Sequence, residues 1–139
     1  MERNIKILLA DDDPEDRAII AETFGEMKLS HVIHFVDSGE HIIKYLVGIY
    51  ERYTLPSLVV LDLNMPGMNG TETLKMLKND SRFRDIPVII FSTSVNAIEM
   101  QECLKTGAAA YVVKPVTYKE CLETSRAFYD FSVSGKPVQ

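Results

Sequence analysis

Three aspartates stand together at Asp11, Asp12 and Asp13, and a fourth, Asp62, ends the apolar run that begins at Leu58. Ser92 follows a second apolar run and Lys114 a third. Grouped carboxylates suit a hard cation, which takes oxygen ligands. A hydroxyl and an ammonium beside them suit a phosphoryl group, because charged donors make the stronger hydrogen bonds to its oxygens. Asp62 poses the sharpest question. An isolated carboxylate at the end of a buried segment is costly to desolvate, so it needs a partner, a proton or a cation.

Those residues can act together only if the fold brings them to one edge. Five short apolar runs divide the chain: IKILLA (5–10), VIHFV (32–36), LVVL (58–61), VIIF (88–91) and AYVV (110–113). Their length and β-branched content predict buried parallel strands. Between them the period becomes helical, with apolar residues at Ile20, Phe24 and Met27, at Ile42, Leu46, Ile49 and Tyr53, and at Leu74 and Leu77. A fourth helix is predicted from Ala97, Met100 and Leu104, and a weaker fifth from Cys121, Ser125 and Phe128.

Asp13 before Pro14 reads as an N-cap with proline at the first helical position. Asn96 with Glu99 and Thr117 with Glu120 have capping-box spacing, and Gly107 reads as a left-handed helix stop. Alternation of this kind predicts an α/β, (βα)₅ fold, a parallel sheet covered on both faces. In such sheets sites form outside the carboxyl ends of the strands. The acidic triplet, Asp62 with Asn64, Ser92, and Lys114 with Pro115 all fall at those ends, whereas Asp37 and Ser38 after the second run read as an ordinary helix start.

Composition narrows the function. With 139 residues, 46% hydrophobic and 25% charged, the chain is sized for one ordinary globular domain. A formal net charge of −5 argues against direct nucleic-acid binding. No apolar run approaches the roughly 20 residues that span a bilayer, and the N-terminus lacks a secretory h-region. The expected location is cytoplasmic. Cys103 and Cys121 have no metal-ligand spacing and read as buried thiols, and His31, His34 and His41 read as ordinary strand and helix residues. Pro66, Gly67 and Gly70 build the turn after Asp62.

The segments LLADDDPED, VVLDLNMPGMNG, IIFSTS and AAAYVVKP, with 22 residues from Ser92 to Lys114, resemble the receiver domain of bacterial two-component response regulators. The resemblance runs from about residue 4 to about residue 130. It implies a doubly wound, flavodoxin-like (CheY-like) sheet in the order 2-1-3-4-5. The expected organisation is a receiver domain over residues 1–131, a short polar tail over 132–139 and no effector domain.

The resemblance also assigns roles. Asp11, Asp12 and Asp62 would repel one another if held close, and Mg²⁺ would relieve that conflict. Asp12 and Asp62 are expected to ligate it directly, Asp11 through water, and Asn64 through its backbone carbonyl. Asp62 is the expected phosphoacceptor, fed by a sensor histidine kinase or a phosphotransfer protein. Lys114 and Ser92 are the expected phosphoryl partners, with Thr93 and Ser94 as alternatives to Ser92, and Asp13 as a helix cap only. Tyr111 matches the family's aromatic switch position, and the Lys114–Pro115 bond is expected to be cis.

Output is expected through the face of the fourth helix, fifth strand and fifth helix, to a protein partner, a second copy or a phosphorelay. The connections 51–56 and 79–87 look longer than in the shortest family members and should lie opposite the site. Two rival readings stay open. One is a receiver-shaped binding module that is never phosphorylated. The other is a dehalogenase-type Mg²⁺ phosphohydrolase using Asp11 and Asp13, although Glu15 stands where that family has threonine or valine.

Overall fold

The apolar runs pair side by side. The structure, a computed structural model, describes residues 5–135. Its elements are β1 (Ile7–Ala10), α1 (Pro14–Glu26), a 3₁₀ turn (Ser30–Val32), β2 (Ile33–Val36), α2 (Gly39–Ile49), β3 (Leu58–Leu61), α3 (Gly70–Lys78), β4 (Val88–Ser92), α4 (Ala97–Thr106), β5 (Ala110–Val113) and α5 (Tyr118–Ser134). All strand pairs are parallel, in the order β2-β1-β3-β4-β5 expected from the resemblance.

Alternate strand residues face opposite layers. Leu8, Val59, Leu61 and Ile90 pack with Ile42 and Leu46 of α2 and Leu74 and Leu77 of α3. Ile7, Leu9, Val60 and Phe91 pack on the other side with Ile20 and Phe24 of α1 and Phe128 and Phe131 of α5. The central strands β1 and β3 are buried along their whole length, whereas β5 is the edge and is only half buried. Cys103 and Cys121 are free and buried, as expected.

The register sets the site. Ala10 is level with Leu61, and the ladder runs on past the strands: Asp11 N–H donates to the Val36 carbonyl, Asp62 N–H to the Ala10 carbonyl and Lys114 N–H to the Ser92 carbonyl. The backbones that carry the reactive side chains are therefore pinned to the sheet. Asp13 caps α1 by accepting from the Glu15 N–H, ahead of Pro14.

The turn after β3 is held by a close approach. Gly70 N–H donates to the Leu63 carbonyl, and a Cβ at Gly70 would stand 2.4 Å from the Asp62 carbonyl oxygen and 2.8 Å from the Leu63 Cα. Asn69 and Glu72 form a complete capping box that starts α3.

Four expectations need correction. The apolar stripe expected on α4 is not its buried face: Ala97 is exposed, Met100 only half buried and Leu104 47% exposed, and Cys103 is the helix's buried residue. Lying over the edge of the sheet, α4 has little to cover it. The Asn96–Glu99 box is half formed. Asn96 caps the Ile98 and Glu99 N–H groups, but Glu99 accepts from the Ser94 hydroxyl, which in turn accepts from the Asn96 N–H.

The Lys114–Pro115 bond is trans, since no peptide bond among the described residues is cis. The direction of β5 already carries the lysine to the site. The expected tail also starts too early: α5 continues through Ser134 and is closed by the left-handed Gly135, and residues 136–139 lie outside the described residues.

The connection 79–87 packs against the C-terminal end of α2, at Tyr50. The Arg82 guanidinium lies over the rings of Tyr50 and Phe83, at 5.7 and 4.7 Å from their centroids, and is held by Asp80. Phe83 is fully buried, a core residue that its polar surroundings in the sequence conceal.

Candidate functional site

Asp11, Asp12 and Asp62 converge. One carboxylate oxygen from each lies within 4.8 Å of the others. Asp11 and Asp62 are buried at 1% and 7% exposure, and Asp12 reaches solvent. All three donors are hard oxygen ligands, and the exposure of Asp12 gives the group access to solvent. This set fits an oxygen-seeking divalent cation such as Mg²⁺.

Lys114 closes the group. Its Nζ donates to Asp11 Oδ2 at 2.7 Å, to Asp16 Oδ2 at 2.8 Å and to Asp62 Oδ2 at 3.4 Å. Burial works against the ammonium's charge, yet the bonds to Asp11 and Asp16 and the charges of Asp11 and Asp62 outweigh it, so the lysine stays protonated well above its ordinary range. The Phe91 ring lies 5.7 Å from Nζ and backs the ammonium.

Around Asp11 the other contacts are local. Its Oδ1 accepts from the Asp13 N–H, and its carbonyl accepts from Arg17 at 2.6 Å. Asp62 Oδ1 accepts from the Asn64 N–H at 3.3 Å. Asp62 is pushed up to about 6, chiefly by burial and further by Asp11, against the pull of Lys114.

This carries a sign. A carboxyl that holds its proton more tightly when folded than its ordinary value of 3.8 stabilises the fold below that pH, and the contribution fades as pH rises to about 6. Without divalent cations, the stability of the Asp62→Asn variant relative to the parent should grow across this window by on the order of 2 kcal/mol. Melting curves of both proteins in EDTA at pH 4, 5, 6 and 7 check it; a gap that shrinks with pH contradicts the burial argument.

The three hydroxyls of 92–94 differ in burial and partners. Ser92 is the buried last residue of β4, and its Oγ accepts from the Ser94 N–H. Thr93 is exposed, and Ser94 is engaged by Glu99. Tyr111 on β5 donates its hydroxyl to the Ser94 carbonyl at 2.9 Å, tying the edge strand to the loop that follows Ser92. Asp13 stays outside the carboxylate group with its side chain used on the cap, so the Asp11/Asp13 pair of the hydrolase reading is not assembled.

Sequence reasoning missed Asp16 and Arg17. An acid in the first turn of a helix reads as a dipole partner, and nothing in its spacing points to a lysine that lies 98 residues away.

A family model described as the response regulator receiver domain matches residues 7–126. The chain is 33% identical over 125 residues to chemotaxis protein CheY1 of Helicobacter pylori, covering 86% of this chain and 94% of that protein. Among solved structures, the phosphorylated cyanobacterial phytochrome response regulator RcpA aligns with a TM-score of 0.83 at 27% identity, over 97% of this chain and 98% of its own. RPA3017, a response regulator in red light signalling of R. palustris, aligns with a TM-score of 0.82 at 30% identity over the same shares.

Proposed function

The chain belongs to the response regulator receiver domain family, and from that premise we propose that it accepts a phosphoryl group on Asp62 from a histidine kinase or phosphotransfer protein and passes the signal to a protein partner. The observation that carries this reading is the convergence of Asp11, Asp12 and Asp62 with the Lys114 ammonium at the carboxyl edge of the sheet.

In the proposed reaction an Asp62 carboxylate oxygen attacks phosphorus, a P–O bond forms, and the P–N bond to the donor histidine breaks with its electron pair leaving on the imidazole nitrogen. The Asn64 N–H orients the carboxylate. Lys114 moves from its present partners onto a phosphoryl oxygen, and the Ser92 hydroxyl and nearby N–H groups take another. Asp12 and Asp62 directly, Asp11 through water, and the Asn64 carbonyl would hold Mg²⁺, which when bound neutralises charge on the phosphoryl oxygens. Incubation with Mg²⁺ and acetyl phosphate, followed by mapping of the hydroxylamine-sensitive acyl phosphate, tests the reading. Label on Asp62 supports it; label on Asp11 favours the hydrolase alternative, and none at all favours the unphosphorylated binding module.

The names of RcpA and RPA3017 make a light-sensing histidine kinase the first donor to try. The output surface in this reading is the face of α4, β5 and α5, where Val95, Ile98, Leu104, Val113 and Val116 are exposed. Reversing a 1:99 balance takes about 5.5 kcal/mol, more than one hydrogen bond supplies. The Tyr111–Ser94 bond is thus one contributor to the switch. Tyr111→Phe should leave the labelling rate within about twofold but speed amide exchange at residues 94–97 about fivefold, the worth of one neutral hydrogen bond. Exchange measured by NMR decides it, and unchanged protection removes Tyr111 from the switch.

Among the described residues no helix is long and apolar enough to cross a membrane.

A further inference from the structure

We infer that Asp16 is a positioning residue for Lys114: it holds the ammonium beside the nucleophile while leaving Asp11 and Asp62 free for a cation. The inference rests on the magnesium-dependent reading of the site given above.

An ammonium has three N–H donors, and here each meets a carboxylate, at 2.7 Å for Asp11, 2.8 Å for Asp16 and 3.4 Å for Asp62. The short bonds go to Asp11 and Asp16, and the long one to the nucleophile. Two of these partners belong to the carboxylate group that can hold a metal, and Asp16 does not. Each Asp11 carboxylate oxygen already accepts one hydrogen bond, Oδ1 from the Asp13 N–H and Oδ2 from Lys114.

A cation that draws on Asp11 and Asp62 therefore competes with Lys114 for both. Without Asp16 the lysine, whose side chain is only 10% exposed, keeps only Asp11 and Asp62 as carboxylate partners and closes onto the metal-binding oxygens. With Asp16 it has a place to stay. That place is rigid, since Asp16 lies in the first turn of α1 behind the Asp13 cap and Pro14. It is also within reach of water, the Asp16 side chain being 35% exposed, so the bond can be exchanged for one to an incoming phosphoryl oxygen.

The test is a double-mutant cycle on Mg²⁺ affinity, measured by calorimetry without any phosphodonor. Asp16→Asn should weaken Mg²⁺ binding about fivefold to tenfold in the parent and by less than about twofold in the Lys114→Ala background, with Asp16→Glu restoring most of the loss. An equal loss in both backgrounds would mean that Asp16 acts only as a nearby negative charge, and overturns the inference, as does no loss in the parent.

A metal-free readout separates this from the site reading. In EDTA, NMR should detect a slowly exchanging Lys114 ammonium in the parent and in Asp16→Glu but not in Asp16→Asn. If the parent binds no Mg²⁺, the site reading fails, and the ammonium signal alone then decides the role of Asp16. A signal that survives Asp16→Asn refutes it.

Discussion

Asp62→Asn is expected to abolish Mg²⁺-dependent labelling by acetyl phosphate and to leave the fold intact. The amide keeps the shape of the side chain but lacks the anionic oxygen that the proposed reaction uses to attack phosphorus, and it leaves only two of the three grouped carboxylates. The fold should survive because the backbone at residue 62 is held by its N–H bond to the Ala10 carbonyl. Burial disfavours a charged group there in any case, as the upward shift of the carboxyl to about 6 shows. Intact-mass measurement of both proteins after incubation with donor and Mg²⁺, alongside circular dichroism, gives the answer. Label in the variant equal to that in the parent would move the nucleophile elsewhere.

Gly70→Ala should be the more damaging substitution, although it adds only one methyl group. The new Cβ would meet the Asp62 carbonyl oxygen at 2.4 Å and the Leu63 Cα at 2.8 Å. Both are backbone atoms of the segment that carries Asp62, so no flexible side chain can yield. Either α3 moves away from β3 or the Asp62 main chain is pushed off its rung. Overpacking against unyielding neighbours costs about 3 kcal/mol. On the proposed role of Asp62, a displacement of its carboxylate by about 1 Å is worth roughly a hundredfold in labelling rate. Urea unfolding and the initial labelling rate measure the two effects. A variant with native stability and native labelling would show that the turn is looser than its geometry implies.

Strand positions were legible to within two residues because a buried parallel strand has to be apolar throughout, and the sequence interrupts its apolar runs with charge and proline. The convergence of Asp11, Asp12, Asp62 and Lys114 was legible because each stands at or just after a strand's end, where period and register leave little choice. Helix α4 was not, because an apolar stripe locates a buried face only when something covers it, and the edge of the sheet leaves Ala97 and Leu104 in solvent. Phe83 escaped notice for the converse reason: it is a lone core residue in a polar connection, with no period to reveal it.

Asp16 was hidden by distance along the chain. Its partner is fixed by tertiary geometry alone, and local spacing carries no trace of that. The half-formed Asn96 cap belongs to the same class, since Ser94 intercepts Glu99 through a contact that pairwise spacing does not anticipate.

The backbone rungs at Asp11, Asp62 and Lys114 bear on how news of a chemical event could leave this place. Three polypeptide crossings are riveted to a rigid plate, so added charge at Asp62 can do little by flexing the plate itself. What can yield lies around the rim: the lysine's reach across the gap, and the short bridge from Ser92 to Asn96 that Tyr111 fastens down. A messenger built this way speaks through its margins, and its listeners should be sought beside that bridge.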